Sequence, residues 1–481
     1  MKRRLWVLLP LSLVGALVSS LAVAATLSWT NAKIVTLPVG GTGFYQGQFS
    51  TLACARGGNC VASGPYLTQN GVVHTVTVSE INGAWRGAAV LGSPTNAETN
   101  AGLSVYGASC PEPGSCALVG NYQTAAGNVV PFAASSSANH WSTPVAIALP
   151  SDAPASESNA LLRAVACASA GNCDAVGTYL DGAAAPHTLA LAAREVSGTW
   201  QRATSLTLPS DANVNSLVSL TQLSCSSAGN CVATGSYVNH DNVTQALVVN
   251  EINGTWQHGQ ALALPGNASA YAGAALSGLT CTSAGNCVSV GVYNTVAGTV
   301  EGLVVNEVNG TWQRGRELVA PVDAAANPQI FFYGFSEVSC ASAGNCAVGG
   351  QYRDQRGDYQ GLLVNEVNGT WQRASSVALP AGATQAGKNG GVVAVTCPVK
   401  GSCRAGAAYL DANGNYQAMT VTQTNGTWLR GTRVTLPAGA TNVGVAGGLY
   451  GLVCTTSTTC SAIGSYLDQA TNYQGFTLTA P

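Results

Sequence analysis

Residues 338–372 read VSCASAGNCAVGGQYRDQRGDYQGLLVNEVNGTWQ, and this stretch decides the fold. It contains short apolar runs that are separated by residues typical of turns, and Asn368-Gly369 stands two residues before Trp371. Such runs predict β-strands joined by tight turns. Asn-Gly between two runs indicates a hairpin, because both residues accept the positive φ that a two-residue turn requires. We name the four expected strands of this unit a, b, c and d.

The same unit recurs along the chain, with eight Cys pairs of spacing Cys-x5-Cys that stand 56 to 59 residues apart. A Tyr follows every second Cys by six residues, and eight of the nine Trp precede a Pro by nine residues. Self-similarity at a fixed period is typical of repeat architectures. The chain therefore predicts eight copies of one unit of about 57 residues.

Four antiparallel strands in each of eight repeats predict an all-β fold, an eight-bladed β-propeller. The last repeat ends in strand c at 476–478, and residues 27–38 supply a lone strand d. We expect these ends to pair, since closure removes the exposed sheet edges that promote aggregation. This one-plus-three closure resembles that of WD40 propellers. A linear β-solenoid is the rival fold, but it requires distinct capping units.

Residues 1–25 have the features of a secretory signal peptide, with a basic start at 2–4, an apolar core and the small-residue site 22–24. A membrane anchor is the alternative. We expect residues 26–481 to form a single propeller domain that spans no membrane and is secreted, periplasmic or bound to the cell surface. Cysteines in such oxidising compartments normally form disulfides.

Composition narrows the function classes. Only 8% of the residues are charged and the net charge is −2, which argues against nucleic acid as the main partner. The sequence has none of the common hydrolase, zinc-protease or phosphate-loop motifs. We therefore expect no cofactor and favour a binding protein over an enzyme, although a propeller brings carboxylates from distant repeats to one centre.

The cysteines are interpreted as disulfide staples that close the loop between strands a and b of each repeat. A metal site is the alternative, but zinc ligands are normally spaced Cys-x2–4-Cys and four are needed. The predicted pairs are Cys54–Cys60, Cys110–Cys116, Cys167–Cys173, Cys225–Cys231, Cys281–Cys287, Cys340–Cys346, Cys397–Cys403 and Cys454–Cys460.

A Glu recurs five residues before the Trp, as at Glu366, and an Arg two residues after it, as at Arg373. We interpret them as a cross-hairpin pair, which stabilises little if it is exposed. The Trp is interpreted as packing between blades rather than a sugar platform. Asn-Gly-Thr matches the glycosylation pattern, but the turn already requires Asn-Gly. The Asn-Gly-Thr-Trp turn also resembles a degenerate Asp-box of sialidase propellers, without the frame that would imply their catalysis.

Variation is greatest in repeat six. The spacing from Trp to the next Cys is 25 or 26 residues everywhere except from Trp312 to Cys340, where it is 28. This connection and the b–c loop of the same repeat should share one face. Aromatic residues with Arg are typical of binding hot spots, and loops on rigid scaffolds carry binding. The predicted ligand surface comprises Phe331, Phe332, Tyr333, Phe335, Arg353, Asp354, Arg356 and Asp358.

The alternative is that the Phe run begins strand a and is buried. Arg356-Gly357-Asp358 also matches the integrin-binding tripeptide, but its Gly aligns with a turn glycine, Gly414, in the next repeat. The segment 411–415 alternates acidic and amide residues like the start of a calcium loop, but it lacks the closing Glu. We favour hairpin turns at both places.

The repeat Ser-Cys-x5-Cys-x-Ala-x-Gly-x-Tyr followed by Asn-Gly-Thr-Trp resembles that of secreted bacterial β-propeller repeat proteins with no assigned activity. The resemblance covers nearly the whole mature chain and implies fold and export. Our first hypothesis is a binding scaffold that recognises a carbohydrate or a protein through the b–c and d–a loops. The second is a polysaccharide hydrolase or lyase acting at the central channel mouth. The third is a purely structural envelope protein.

Overall fold

The structure, a computed structural model, describes residues 29–480 except 48, 101, 155, 157, 214–216, 272, 333–336, 384–389 and 442–447. The expected signal peptide lies outside these residues. Eight antiparallel sheets, one for each repeat, form an eight-bladed propeller, which confirms the predicted fold. Among the described residues, none of the helical structure is long or apolar enough to cross a membrane.

Strands a, b and c of each blade are the long ones. Strand a spans Thr51–Ala55, Ser104–Glu112, Leu161–Ser169, Val218–Ser227, Ala274–Ser283, Val338–Ser342, Gly391–Val399 and Gly448–Cys454 in blades one to eight. Strand b spans Asn59–Thr68, Ser115–Gln123, Asn172–Leu180, Asn230–Val238, Asn286–Asn294, Asn345–Arg353, Ser402–Leu410 and Cys460–Asp468. Strand c spans Val73–Ile81, Val129–Ser137, Thr188–Val196, Thr244–Ile252, Val300–Val308, Tyr359–Val367, Tyr416–Thr424 and Tyr473–Ala480.

Strand d is short and interrupted, and it pairs with strand c in two pieces. The first pieces are Ala84–Trp85, His140–Trp141, Thr199–Trp200, Thr255–Trp256, Thr311–Trp312, Thr370–Trp371 and Thr427–Trp428. The second pieces are Ala89–Val90, Val145–Ala146, Thr204–Ser205, Gln260–Ala261, Arg316–Leu318, Ser375–Ser376 and Thr432–Arg433. The remaining elements are Lys33–Ile34, Gly41–Phe44, Ala440–Thr441 and the 3-10 helix Tyr45–Gly47.

The two ends of the chain close the ring. Ile34 lies opposite Phe476 in an antiparallel pair, so that Lys33–Ile34 serves as strand d of blade eight. The backbone N–H of Val35 donates to the carbonyl of Gly475 at 2.8 Å, and that of Thr30 donates to Thr479 at 3.0 Å. This pairing confirms the predicted closure.

The a–b and c–d turns of each blade lie on one face, which we call the Cys face. In blade six the N–H of Gly369 donates to the carbonyl of Gly344 at 2.8 Å. Gly344 has a φ of +73°, and a Cβ there would lie 2.9 Å from the nitrogen of Gly369, so only glycine fits. The d–a and b–c loops meet on the opposite face, where Ala324 forms a β-bridge with Asp354.

The disulfides confirm the predicted pairing, because each of the eight joins the two cysteines of one repeat. In blade six Cys340 lies directly opposite Cys346 in the ladder between strands a and b. The Cα–Cα distances range from 3.9 to 4.2 Å. Each staple therefore fixes a hairpin within one blade, and its sulfur atoms can also touch the neighbouring blade, as Sγ of Cys231 lies 3.6 Å from Asp174.

The recurrent Tyr and Pro fix the d–a loops. The hydroxyl of Tyr352 donates to Asp323 at 2.8 Å, and that of Tyr237 donates to Asp211 at 2.7 Å. Each acceptor lies two residues after the recurrent Pro. Burial and the neighbouring carboxylate raise the pKa of Tyr237, so the phenol keeps its proton as donor. The repeat signature is thus explained by folding rather than by chemistry.

Candidate functional site

A row of buried Glu side chains crosses the contacts between blades. In blade six, Glu366 accepts a hydrogen bond from Asn306 of blade five at 2.7 Å, and Nε1 of Trp371 donates to the same Asn306 at 3.2 Å. The contact between blades four and five repeats this arrangement, with Asn250 joining Glu307 at 3.0 Å and Trp312 at 3.2 Å. Burial raises the pKa of both Glu carboxyls, and the Asn donor lowers it.

The predicted cross-hairpin pair between the recurrent Glu and Arg is wrong. Glu366 does lie opposite Trp371 in the ladder, as expected. However, Nη1 of Arg373 donates to the carbonyl of Ala320 in the preceding blade at 2.7 Å, and Arg314 does the same with Leu264 at 2.7 Å. The Glu is buried while the Arg is exposed, because each reaches across to the preceding blade at a different depth.

The contact between blades three and four carries an ionic version of the same arrangement. Arg194 occupies the position of Asn250, and its Nε donates to Asp174 at 2.9 Å. The same guanidinium pairs with Glu251 of blade four and donates to the carbonyl of Gly254 at 3.1 Å. One arginine from within the chain therefore pairs with both carboxylates and offsets one of their two charges. Asp174 also lies close to Cys225 and Cys231, but a disulfide offers no thiolate for a metal.

A groove of about 830 Å³ lies between blades two and three on the Cys face. Trp141 and Trp200 line it, and His140 stands exposed at its rim. Glu195 is buried in it, accepts from Ser135 at 2.5 Å through Oε1, and has no hydrogen-bond partner on Oε2 among the described residues. Burial raises the pKa of Glu195, and the Ser135 hydroxyl lowers it.

Blade two makes this groove wide because it departs from the repeat. Its strand c ends in Ser135-Ser136-Ser137, where blade four has Asn250-Glu251-Ile252 at the same distances from the Trp. Three small hydroxyl side chains thus replace an amide, a carboxylate and a branched aliphatic residue. No sequence motif indicates this groove. The signal that does is the run of three serines, which is an exception when the eight repeats are aligned.

The structure brings the two predicted segments of blade six together. The N–H of Gln355 donates to Asp323 at 2.9 Å, and the hydroxyl of Tyr359 donates to Gln329 at 3.0 Å. Phe331 is 39% exposed, and its ring lies 6.5 Å from that of Tyr359. Arg353 and Arg356 are exposed beside this pair, and Asp358 is half-buried. These residues form what we call the blade-six surface.

Two of the predicted surface residues have structural roles instead. Phe332 is buried, with 8% exposure, in the core between blades five and six, where Gly350 leaves room for its ring. Asp354 is buried in the b–c turn and accepts from the N–H groups of Arg356 and Asp358 at 3.0 and 2.9 Å. The Phe run is thus partly core, as the alternative anticipated. Tyr333 and Phe335 lie outside the described residues.

The centre of the ring is lined by the strands a, because neighbouring blades contact each other through them. Within the described part of the chain, six of these strands carry a β-bulge at the fourth residue before the Cys: Tyr106, Arg163, Thr221, Ser277, Val393 and Tyr450. The Arg163 guanidinium lies 4.7 Å from the centre of the Tyr106 ring. Bulges re-aim side chains, and here the bulged residues differ from blade to blade.

Glu337 is a buried carboxyl close to this centre. It stands one residue after the bulge position, where neighbouring blades carry Gly278 or Ala394, and it is 6% exposed. Burial raises the pKa of Glu337 to about 7, and a hydrogen bond with Ser277 lowers it. It packs against Gly278, since a Cβ there would lie 3.1 Å from Oε2. The absence of a side chain at Gly278 makes room for this carboxyl.

No protein-family model and no curated protein sequence matches the chain. Among solved structures, a polysaccharide lyase described as an ulvan lyase is similar with a TM-score of 0.42 and 12% identity, over 77% of this chain and 90% of that one. A protein of unknown function from Dyadobacter fermentans has a TM-score of 0.36 and 10% identity, over 95% and 99%. A lectin from Aleuria aurantia has a TM-score of 0.31 and 13% identity, over 83% and 99%. At such identities the similarity concerns the fold alone.

Proposed function

We propose that the protein is an exported scaffold that binds carbohydrate, with its main site in the groove between blades two and three. The observation that carries this proposal is the composition of the groove. Two indole side chains, Trp141 and Trp200, line the groove together with several serine hydroxyls and the carboxyl of Glu195, whose Oε2 lacks a donor among the described residues.

Sugars suit such a site, because they offer many hydroxyl donors to an unpartnered acceptor and an apolar face to an aromatic ring. The groove volume of about 830 Å³ falls within the range of small-molecule sites. The hydrogen bond from Nε1 of Trp200 to Ser135, at 3.3 Å, holds the ring in place before a ligand arrives. A rigid site of this kind loses little entropy on binding.

The blade-six surface is a second ligand site, supported by the exposed Phe331, its contact with the half-buried Tyr359, and the exposed Arg353 and Arg356. We propose a protein ligand there, because exposed aromatic and arginine side chains are typical of protein interfaces. Phe332 and Asp354 belong to the framework of this surface rather than to its contact residues.

A glycan array, followed by titration calorimetry of the best ligand, tests the main site. The triple variant Ser135→Asn, Ser136→Glu, Ser137→Ile restores the repeat sequence of blade four, fills the groove and should weaken binding at least tenfold. Phe331→Ala, on the opposite face, serves as the matched control and should leave glycan binding unchanged. Loss of binding in the control variant alone would transfer the sugar site to blade six, and an array without any ligand would refute the proposal.

The hydrolase or lyase hypothesis is tested with the same ligand. A glycosidase needs two carboxyl groups that can reach the substrate, and Glu337 near the ring centre is buried. We expect incubation of the bound polysaccharide with the protein to release no reducing ends or unsaturated products. Product release that Glu337→Gln abolishes would replace binding by catalysis at the channel.

A further inference from the structure

The groove between blades four and five holds a buried acceptor without a donor. The groove has a volume of about 300 Å³ and is lined by Asn250 of blade four and by Glu307, Ser283 and Asn309 of blade five. Glu307 is 4% exposed, and its Oε1 accepts from Asn250 at 3.0 Å. Among the described residues, nothing donates to its Oε2. A buried polar atom without a partner is costly, so this one is a candidate for a ligand contact.

The preceding contact between blades shows which chemical group pairs with the Glu at this place. Arg194 stands six residues before Trp200, just as Asn250 stands six residues before Trp256. Its guanidinium binds the Glu of the next blade, Glu251, and the turn carbonyl of Gly254 at 3.1 Å. Asn250 is too short to do the same, and it reaches one oxygen of Glu307 only. One blade later, Glu307 and the carbonyl of Gly310 occupy the positions of Glu251 and Gly254, but no cation among the described lining residues faces them.

A second guanidinium lies between blades seven and eight. Arg404 is 5% exposed, and its Nη2 donates to the carbonyl of Ser457 in blade eight at 3.3 Å. Its Nη1 donates to the carbonyls of Cys403 and Gln423 at 2.9 and 3.3 Å. The propeller therefore accommodates a planar guanidinium between blades at two of its contacts.

We propose that the groove between blades four and five binds the side chain of an arginine that belongs to a partner peptide, through Glu307 and the turn carbonyl of Gly310. The guanidinium presents five donors in a planar fork that matches a carboxylate in a bidentate way. The described lining residues of this groove include no Lys or Arg. The next groove, between blades five and six, has Arg314 and Arg316 in its lining.

This site is independent of the carbohydrate site, because it lies two blade contacts away and uses a charged acceptor rather than an aromatic platform. Calorimetric titration with N-acetyl-arginine amide and with N-acetyl-citrulline amide as its neutral isostere tests it. The arginine compound should bind at least tenfold more tightly than citrulline, and Glu307→Gln should abolish the difference. Equal affinity for both compounds would overturn the proposal.

Glu366→Gln, the same substitution one blade later, is the matched control and should leave arginine binding unchanged. The double variant Asn250→Arg, Val232→Asp copies the Arg194–Asp174 pair into the groove, so that an arginine of the chain itself occupies it. This variant should no longer bind N-acetyl-arginine amide, while its thermal unfolding should stay cooperative. If this double variant fails to fold, the citrulline and Glu307→Gln comparisons still decide. Arginine binding that survives in Glu307→Gln, or glycan binding that Glu307→Gln removes, would refute the assignment.

Discussion

The contact between blades three and four and the contact between blades four and five share one backbone arrangement but differ in charge. In the first, Arg194 pairs with Asp174 and Glu251, whereas in the second Asn250 and Val232 occupy the equivalent positions and Glu307 faces only a neutral amide. The first contact holds a cation from the chain itself, whereas the described lining of the second includes none; among the described residues, Oε2 of the Glu lacks a hydrogen-bond donor in both. Two residue differences between the repeats thus change the charge at one position between blades without changing the fold.

The comparison also indicates where the stability of each contact resides. A buried ion pair contributes little net stability over an apolar replacement, because removing two charges from water is costly. Breaking it from one side is different, since the remaining charge then has no compensation. The contact between blades three and four should therefore tolerate replacement of all three charged residues better than replacement of Arg194 alone.

The largest effect is expected for Arg194→Met. The substitution leaves Asp174 and Glu251 without their guanidinium, and we expect the free energy of unfolding at pH 7 to fall by about 4 kcal/mol. The triple variant Arg194→Met, Asp174→Val, Glu251→Gln removes the uncompensated charges as well and should lose far less. Denaturant unfolding of both variants measures this, and equal losses would contradict the ionic difference between the two contacts.

The next effect concerns pH. Burial raises the folded-state pKa of Glu337 from 4.5 to about 7, so the folded protein binds the extra proton between these values. Protonation of Glu337 therefore contributes on the order of 3 kcal/mol to the free energy of unfolding. This contribution is fully present below pH 4.5 and is lost as the pH rises towards 7.

Unfolding free energies measured from pH 4.5 to 7 should decline less steeply in Glu337→Gln than in the unsubstituted protein. The exposed Asp241 provides the control, and Asp241→Asn should leave the slope unchanged. Parallel curves for Glu337→Gln and the unsubstituted protein would show that this carboxyl titrates normally.

A smaller and uniform effect is expected for the disulfides. Replacing both cysteines of the Cys225–Cys231 pair or of the Cys281–Cys287 pair by Ser should lower the unfolding free energy by about 2 kcal/mol, as chain entropy predicts for so short a loop. The two losses should be equal if loop closure alone decides them, because both disulfides close loops of the same sequence separation, 6 residues. A clear difference in thermal or denaturant unfolding between the two variants would link the staples to the contacts between blades.

The smallest effect is expected for Trp312→Phe. The indole donates to Asn250 at 3.2 Å, and phenylalanine keeps much of the packing but loses this hydrogen bond. We expect a loss of about 1 kcal/mol, together with freer rotation of Asn250. Weaker binding of N-acetyl-arginine amide would show that the hydrogen bonds from Trp312 to Asn250 and from Asn250 to Glu307 also orient the Glu307 carboxyl. Unchanged stability and affinity would show that the indole acts through packing only.

Much of the fold was predictable because the same pattern of strands and turns recurs in eight repeats. The spacing of Cys340 and Cys346 and the Asn368-Gly369 turn rest on local geometry, and the division of blade eight between the two chain ends follows from the fixed period of the repeat. The candidate sites were less predictable. Phe332 and Phe331 are neighbours of one type, yet the first is core and the second surface, because alternation and the space at Gly350 decide which ring turns inward.

The sequence by itself determined the number of blades, the staples, the turns and the closure, since these depend on residues that are close in the chain or repeated at a fixed period. Only the tertiary structure decided the partners of Glu307, Arg194 and Arg373. Apart from Asp174, which lies opposite Arg194 in the same blade, those partners lie about one repeat away, and strand pairing alone does not specify how two blades face each other. The grooves of this propeller arise from those contacts between repeats, and so do the proposed binding sites within them.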